Sequence, residues 1–505
     1  PRARWTIENV YGGSPDRTDP TAYFAFNQGL AWADVLLWVP LQFVASVGML
    51  LGHEWGFLLA LVASAPWVYT AVPIFVWDRD LGFRGRGFTY WVVIWAMWPA
   101  FGLLQGVYVL AAIAVLVVTL ADKKAFKLGE NLATTPGSVV FRNHLFELIQ
   151  YAPSTDQVHE TPLVIFPPWI NKFYILDLKP QNSLIKWAVD QGYTVFIVSW
   201  VNPDEAYRDT SMSDYIEDGY LTAIDEVKTI CGVKKVNAVG YCIAGTTLSL
   251  TLALMKQRKD TSVNAVTFFT TLTDFSDRGE VGVFLQDDFV DGIEAEVTKN
   301  GVLDSFFMSR TFSYLRANDL IYGPAIKSYM MGKAPPAFDL LYWNGDGTNL
   351  PAAMAMEYLR GLCQDDKFAT TGFDVCGTTV QIKDVTVPVC AIACETDHIA
   401  AWKSSYTGVQ KMGSKDKTFI LSESGHIAGI VNPPSKKKYG HYTNPDLGLS
   451  ADDWLADADK HEGSWWPRWD AWLSKKSGKK VPAREPGDAS HPVLGPAPGT
   501  YVSAK

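Results

Sequence analysis

Apolar positions run almost unbroken through the first quarter of the chain and come in short bursts after it. Residues 35–52, 55–77 and 87–121 contain no Asp, Glu, Lys or Arg. About 20 apolar residues cross a bilayer as helix, so the first two runs predict membrane-spanning helices and the third is long enough for more than one pass. Pro99, Gly102 and Gln105 interrupt that third run. Nine of the nineteen Trp precede residue 122, several near run ends, as in the aromatic belt of a membrane interface. Arg79, Arg84 and Arg86 follow the second run, and Lys123, Lys124 and Lys127 follow the third; both groups ask for the cytoplasmic side. A buried helical core is the competing reading of residues 1–122. Asp34 reads as an interfacial residue. Gly82–Gly87 reads as a basic connecting turn, because it lacks the Lys-Ser/Thr of a P-loop.

From about Phe126 the pattern changes. Leu163–Phe166, Thr194–Val198, Val236–Val239, Ala265–Phe269, Val387–Ala393 and Thr418–Leu421 are short apolar runs that predict buried strands. Helix-length segments such as 181–191 and 213–230 lie between them. Strand-helix alternation predicts an α/β domain, with a parallel sheet covered on both faces. Between about 273 and 380 the alternation lapses, and Pro335-Pro336 falls inside that stretch. The expected division is therefore an apolar helical region over 1–122, a catalytic core over 123–272 and 381–505, and an inserted cap over 273–380. The tail after 481 carries Pro482, Pro486, Pro492, Pro496 and Pro498, so it packs as an extended strap or stays flexible.

Composition narrows the function. At 505 residues the chain is too long for one ordinary core. Its net charge of -9 removes the basic footprint that nucleic acid requires. The six cysteines, Cys231, Cys242, Cys363, Cys376, Cys390 and Cys394, form no C-x-x-C pair. Six in a chain of this length point to a reducing cytosol, not to a disulfide framework. The chain opens on Pro1 instead of Met, which leaves a fragment, a processed product or an engineered chain open.

The candidate chemistry sits at strand ends. Gly240-Tyr241-Cys242-Ile243-Ala244-Gly245 follows the run Val236–Val239 and precedes the helix-forming Thr246–Met255. A nucleophile between small residues in a strand-turn-helix context is the nucleophile elbow of α/β-hydrolases, here with Cys in place of Ser. A helix N-terminus favours the thiolate, and the Ile243 N–H would face a developing oxyanion. Acid and histidine follow in chain order: Asp397 after the run 387–393, and His426 after the run 418–421. The stiff loop Pro167–Lys172 after the first run is placed to supply a second oxyanion donor, the N–H of Ile170. His398 adjoins the acid and reads as a supporting or purely structural residue. Trp343 reads as part of the cap or as simple core. A metal site built from His398, His426 and Asp397 lacks any ligand motif, so no metal is expected.

Beyond these residues, Glu130–Gly137, Pro167–Leu178, Ser199–Pro203, Asn237–Cys242, Phe268–Phe275, Leu340–Asn344, Ser424–Gly429 and Ala497–Val502 carry a consistent likeness. From about Phe126 to Lys505 the chain resembles a class I polyhydroxyalkanoate (PHA) synthase. The resemblance implies an α/β-hydrolase fold whose nucleophile, acid and base are Cys242, Asp397 and His426. It implies polymerisation of (R)-3-hydroxyacyl-CoA with release of CoA and no cofactor. Its implied partners are the nascent polyester and its granule, and a second copy of the chain in a homodimer. Its implied location is the cytoplasm. Two positions depart from the family pattern: Ala244 in the elbow, and Ala401 where the family has Pro. The apolar residues 1–122 do not match the family's mostly soluble N-terminal region and read as a membrane anchor or a fused piece. The alternatives are a Cys-dependent thioesterase or esterase on the same fold, and an inert membrane scaffold.

Overall fold

The computed structural model describes residues 125–308, 311 and 339–504. The apolar runs, Asp34 and the Gly82–Gly87 turn lie outside the described residues. Among the described residues, no helix is long and apolar enough to cross a membrane.

The core is an eleven-stranded mixed sheet. Its strands are β1 (Gly137–Arg142), β2 (Phe146–Tyr151), β3 (Leu163–Phe166), β4 (Val195–Trp200), β5 (Val236–Tyr241), β6 (Val263–Phe269), β7 (Val389–Cys394), β8 (Lys417–Ser422), β9 (His441–Thr443), β10 (Asp459–His461) and β11 (Gly495–Pro496). They lie in the order β10-β9-β8-β7-β6-β5-β3-β4-β2-β1-β11. The inner strands from β8 to β4 are parallel throughout. These are the six strands that the apolar runs predict. The expectation of a wholly parallel sheet fails at both edges, where β9, β10, β2, β1 and β11 pair antiparallel. Parallel neighbours need long crossovers, whereas the short link between β1 and β2 permits only a hairpin.

Both faces of the inner sheet are buried, which is why its strands lack a polar alternation. Phe196, Val198 and Trp200 of β4 point into one apolar core, while Val195 and Ile197 point into a second. The principal helices around the sheet are α1 (Leu184–Asp190), α2 (Thr222–Cys231), α3 (Ile243–Gln257), α4 (Asp287–Asn300), α5 (Trp402–Lys411) and α6 (Trp466–Leu473). Helix α3 is buried from Ile243 to Met255. Its Thr246, Ser249 and Thr251 hydroxyls each donate to a backbone carbonyl, so their burial leaves no unmet donor. The helix expected over 213–230 is wound as a π-helix from Tyr215 to Leu221 before α2 begins. That wider turn brings Tyr215 and Tyr220, five residues apart, onto one buried face.

Among the described residues, those between 273 and 380 supply no strand to the central sheet. They form α4, a π-helix over Glu357–Gln364 and a small hairpin of Phe373–Val375 with Thr378–Val380. Their Leu285, Ile293, Leu362 and Phe373 join the apolar core that holds Phe196, Val198 and Trp200 of β4. The proline-rich tail packs as an extended strap: Lys480–Pro482 pairs with Gln157–His159, and β11 pairs with β1.

Candidate active site

The parallel inner strands end on one edge, and the three candidate residues follow three of them. Cys242 comes directly after β5, Asp397 three residues after β7, and His426 four residues after β8. Such C-terminal strand ends are where open α/β sheets gather chemistry.

Cys242 caps α3 with φ 55° and ψ -127°, a conformation that L-residues seldom hold. It is fixed there by its neighbours. Its N–H donates to the Phe269 carbonyl at 2.8 Å, and its carbonyl accepts from Gly245 N at 2.8 Å. The turn is too tight for side chains on either flank. A Cβ on Gly240 would lie 2.5 Å from the Gly245 Cα, and a Cβ on Gly245 would lie 2.0 Å from the Thr271 Oγ1. Strain held in place by surrounding packing is what an elbow needs to present its sulfur.

His426 and Asp397 form a buried pair. The imidazole Nδ1 lies 2.6 Å from Asp397 Oδ2. The other carboxylate oxygen, Oδ1, accepts the N–H groups of Ile399 at 2.8 Å and Ala400 at 2.9 Å. Thr396 N donates to the Ser424 carbonyl at 3.0 Å, so the acid and histidine loops are tied to each other. Burial works to push the imidazole pKa down. Asp397 and Cys242, each acting through charge and a hydrogen bond, outweigh it and hold His426 well above the ordinary histidine range. With Nδ1 engaged by the carboxylate, Nε2 is the ring nitrogen left for the sulfur.

Of the three, Cys242 is the one that lines a cavity, a narrow one of about 100 Å³. Ile243 and Ile170 line it too, so the two residues expected to supply oxyanion donors border the same space as Cys242. Ile243 opens α3, where its N–H has no carbonyl one turn back to bond. The loop bearing Ile170 is braced on several sides. Trp169 Nε1 donates to Thr247 Oγ1 on α3 at 3.2 Å, and Thr348 N donates to the Ile170 carbonyl at 2.9 Å. The buried Lys172 ammonium donates to the carbonyls of Tyr501 and Ala504. Trp343 is buried in the core, and its indole N–H donates to the Lys172 carbonyl at 2.7 Å. It therefore touches the loop that carries Ile170 and is not on the cavity wall among its described residues. His398 is half-buried, directly beside the acid.

Several residues at the site escaped the sequence reading. Tyr241 stacks on His426 with ring centroids 5.9 Å apart, and its hydroxyl donates to the His426 carbonyl at 3.3 Å. Its place beside the nucleophile was the only signal for it. Tyr358 and Cys363 reach the cavity from the 273–380 stretch, where no periodic pattern marks them. Among the described residues no cluster of His, Cys, Asp and Glu is arranged to hold a metal.

Two family models match the chain. The model for the poly-beta-hydroxybutyrate polymerase (PhaC) N-terminus matches residues 102–188, and the alpha/beta hydrolase fold matches residues 161–433. The first begins at residue 102, inside the apolar stretch that showed no likeness on reading, so the matched region starts earlier than Phe126. A poly(3-hydroxyalkanoate) polymerase of Methylorubrum extorquens is 46% identical over 76% of this chain and 64% of its own length. Poly(3-hydroxyalkanoate) polymerase subunit PhaC of Cupriavidus necator is 42% identical over 77% of this chain and 67% of its own. Poly(3-hydroxyalkanoate) polymerase 2 of Ectopseudomonas oleovorans is 39% identical over 75% and 68%. The chain thus spans about two thirds of the length of the curated relatives it matches. By these matches the chain belongs to the poly(3-hydroxyalkanoate) polymerase (PhaC) family, on an α/β-hydrolase fold.

Proposed function

We propose that this chain is a polyester-forming acyltransferase that polymerises (R)-3-hydroxyacyl-CoA and releases CoA, with Cys242 as nucleophile, His426 as base and Asp397 as its carboxylate. The observation that carries the reading is a strained cysteine at a helix start, coupled to an aspartate-held imidazole and open to a largely apolar cavity.

The steps follow from those groups. His426 Nε2 accepts the proton of the Cys242 thiol, and the thiolate attacks the thioester carbonyl. The N–H groups of Ile243 and Ile170 stabilise the oxyanion of the tetrahedral intermediate. The intermediate collapses with loss of CoA, which takes the proton back from the imidazolium. Thioester is exchanged for thioester, so the acyl-enzyme is not a deep resting point. The 3-hydroxyl of the next monomer or chain then attacks the acyl-Cys242, passing its proton to His426; an ester bond forms as the acyl C–S bond breaks, and the released Cys242 sulfur takes the proton back from the imidazolium. Asp397 holds the imidazole in the tautomer that both steps need. Trp343 supports the Ile170 loop through Lys172, and His398 flanks the acid.

The same reading assigns residues 123–272 and 381–505 to the catalytic core and 273–380 to a cap that shields the acyl-enzyme from water. The partners it implies are a CoA thioester, the nascent polyester with its granule, and a second copy of the chain. The catalytic part would then work in the cytoplasm at the granule surface, with residues 1–122 as a membrane-associated region. Incubation with 3-hydroxybutyryl-CoA tests the function: CoA and insoluble polyester are expected together. CoA with free acid would make the chain a thioesterase, and polymer from a Cys242→Ala variant would remove the nucleophile.

A further inference from the structure

Next to the Cys242 cavity lies a second, outer and wider cleft of about 710 Å³. The two are neighbours in the strict sense, because Phe284, Phe289, Ile293, Phe307 and Thr311 line both. Three of those side chains form a continuous aromatic partition, with ring centroids 5.4 Å apart for Phe284–Phe289 and 5.7 Å for Phe289–Phe307. A partition of side chains can open by rotamer changes, without backbone rearrangement.

The chemistry of the outer cleft is selective. Its rim adds Asp288, Glu296 and Asp304, and among its described lining residues there is no Lys, Arg or His. Coenzyme A carries several phosphate charges, and these three carboxylates repel them. A polyester of hydroxyacyl units carries no charge along its length, so the carboxylates do not repel it and the apolar side chains suit it. Phe306, also on the cleft, leaves 39% of its surface exposed, so the apolar lining continues to solvent.

Helix α4 supplies a further sign. Gly292 lies mid-helix, where glycine weakens a helix relative to alanine. It lines the cleft, and a Cβ built on it would meet nothing within 4 Å. No close approach of backbone explains the missing side chain; the position simply keeps the cleft wide.

We infer that the outer cleft is the exit path of the growing polyester from Cys242, and that the CoA thioester reaches the sulfur by another route. The inference rests on the polymerase reading and adds a binding site to it. Gly292→Trp in the full chain tests it by filling the cleft from a position that has room. With enzyme in excess over 3-hydroxybutyryl-CoA, single-turnover CoA release reads acylation of Cys242 and is expected to stay within twofold. Under multiple turnover, CoA release is expected to fall tenfold or more, with correspondingly shorter polymer. Equal loss of the single turnover would mean that the thioester enters through the cleft. Unchanged polymer length and rate would mean that the cleft carries nothing; either result overturns the inference. If Gly292→Trp does not fold, Glu296→Trp places the same ring in the cleft one helical turn later. A parent chain that releases CoA without polymer would sink the polymerase reading itself, and the two failures are thus told apart.

Discussion

Asp397 holds His426 with one carboxylate oxygen, at 2.6 Å from Nδ1, while its other oxygen is held by the N–H groups of Ile399 and Ala400. The carboxylate cannot rotate without giving up backbone bonds, so it dictates which imidazole nitrogen faces the sulfur. In Asp397→Asn the amide oxygen keeps the two backbone donors, and the amide nitrogen turns a donor toward Nδ1. The imidazole must then carry its proton on Nε2, where it cannot accept one from Cys242. Single-turnover CoA release is expected to fall on the order of ten thousandfold with the fold intact. A loss below tenfold would show that Asp397 does not set the tautomer.

Gly245→Ala tests the elbow instead of the charge. The new methyl group would meet the Thr271 side chain at 2.0–2.9 Å, and Thr271 is buried and bonded to the Phe269 carbonyl. Neither side has room to move without shifting β6 or α3. The expected cost is roughly 1–3 kcal/mol of stability, read as a lower urea midpoint. Acylation of Cys242 should fall at least a hundredfold, because the sulfur and the Ile243 N–H move together. A second substitution, Thr271→Ala, removes both of the closest clashing atoms, Oγ1 and Cγ2, and should recover part of the loss.

The inner sheet and the placing of Cys242, Asp397 and His426 at strand ends were legible because their signals are local. Strands buried on both faces read as unbroken apolar runs, and a cysteine between small residues after such a run marks a turn. The edge hairpin was not legible. β2 contains Glu147 and Gln150, which in sequence argue against burial, yet both are fully buried. Apart from Arg142, which pairs with Glu147, their partners lie over 300 residues away: Thr500 and Tyr501 for Glu147, and Glu485 and Gly487 for Gln150. No pattern within a window can report such a pairing. The cavity wall failed for a related reason. Tyr358 and Cys363 come from a π-helix, whose period matches neither a strand nor an ordinary helix. The apolar region before residue 122 masked a family match that begins at 102, because an apolar run carries little that is distinctive.

Asp177 gives the fold a pH dependence of known sign. It is buried among Thr135 and Ser183, whose hydroxyls donate to Oδ1 at 2.5 and 2.6 Å. Burial raises its carboxyl to about 6, against the opposing effect of those hydrogen bonds. The folded-state value lies above the unfolded one, so ionisation favours unfolding. Its contribution is greatest below the unfolded value near 4 and is lost as pH rises through about 6. The stability advantage of the parent over Asp177→Asn is therefore expected to shrink by about 2 kcal/mol between pH 4.5 and pH 7.5. Urea unfolding of both proteins at the two pH values measures it. An advantage that grows with pH would show that the carboxyl is ionised throughout.

Glu147 anchors the end of the chain to the sheet. Its side chain is buried in β2 and accepts from the Arg142 guanidinium, from the Thr500 N–H and hydroxyl, and from the Tyr501 N–H. A few residues on, Lys172 donates to the Tyr501 and Ala504 carbonyls and belongs to the loop that carries Ile170. These two grips both hold the end of the strap, and the second reaches the loop that carries Ile170. Glu147→Ala removes the acceptor for three tail groups, and hydrogen bonds to a charged partner are individually worth about 1.5–3 kcal/mol. The expected result is a loss of about 3 kcal/mol in urea unfolding and faster carboxypeptidase trimming of the tail. Lys172→Met should split the effects differently. Acyl transfer falls because the Ile170 loop loosens, while alkylation of Cys242 by iodoacetamide, which needs no oxyanion donor, keeps its rate and pH profile. Equal slowing of both reactions would place Lys172 in the general scaffold, with no particular link to an oxyanion donor at Ile170.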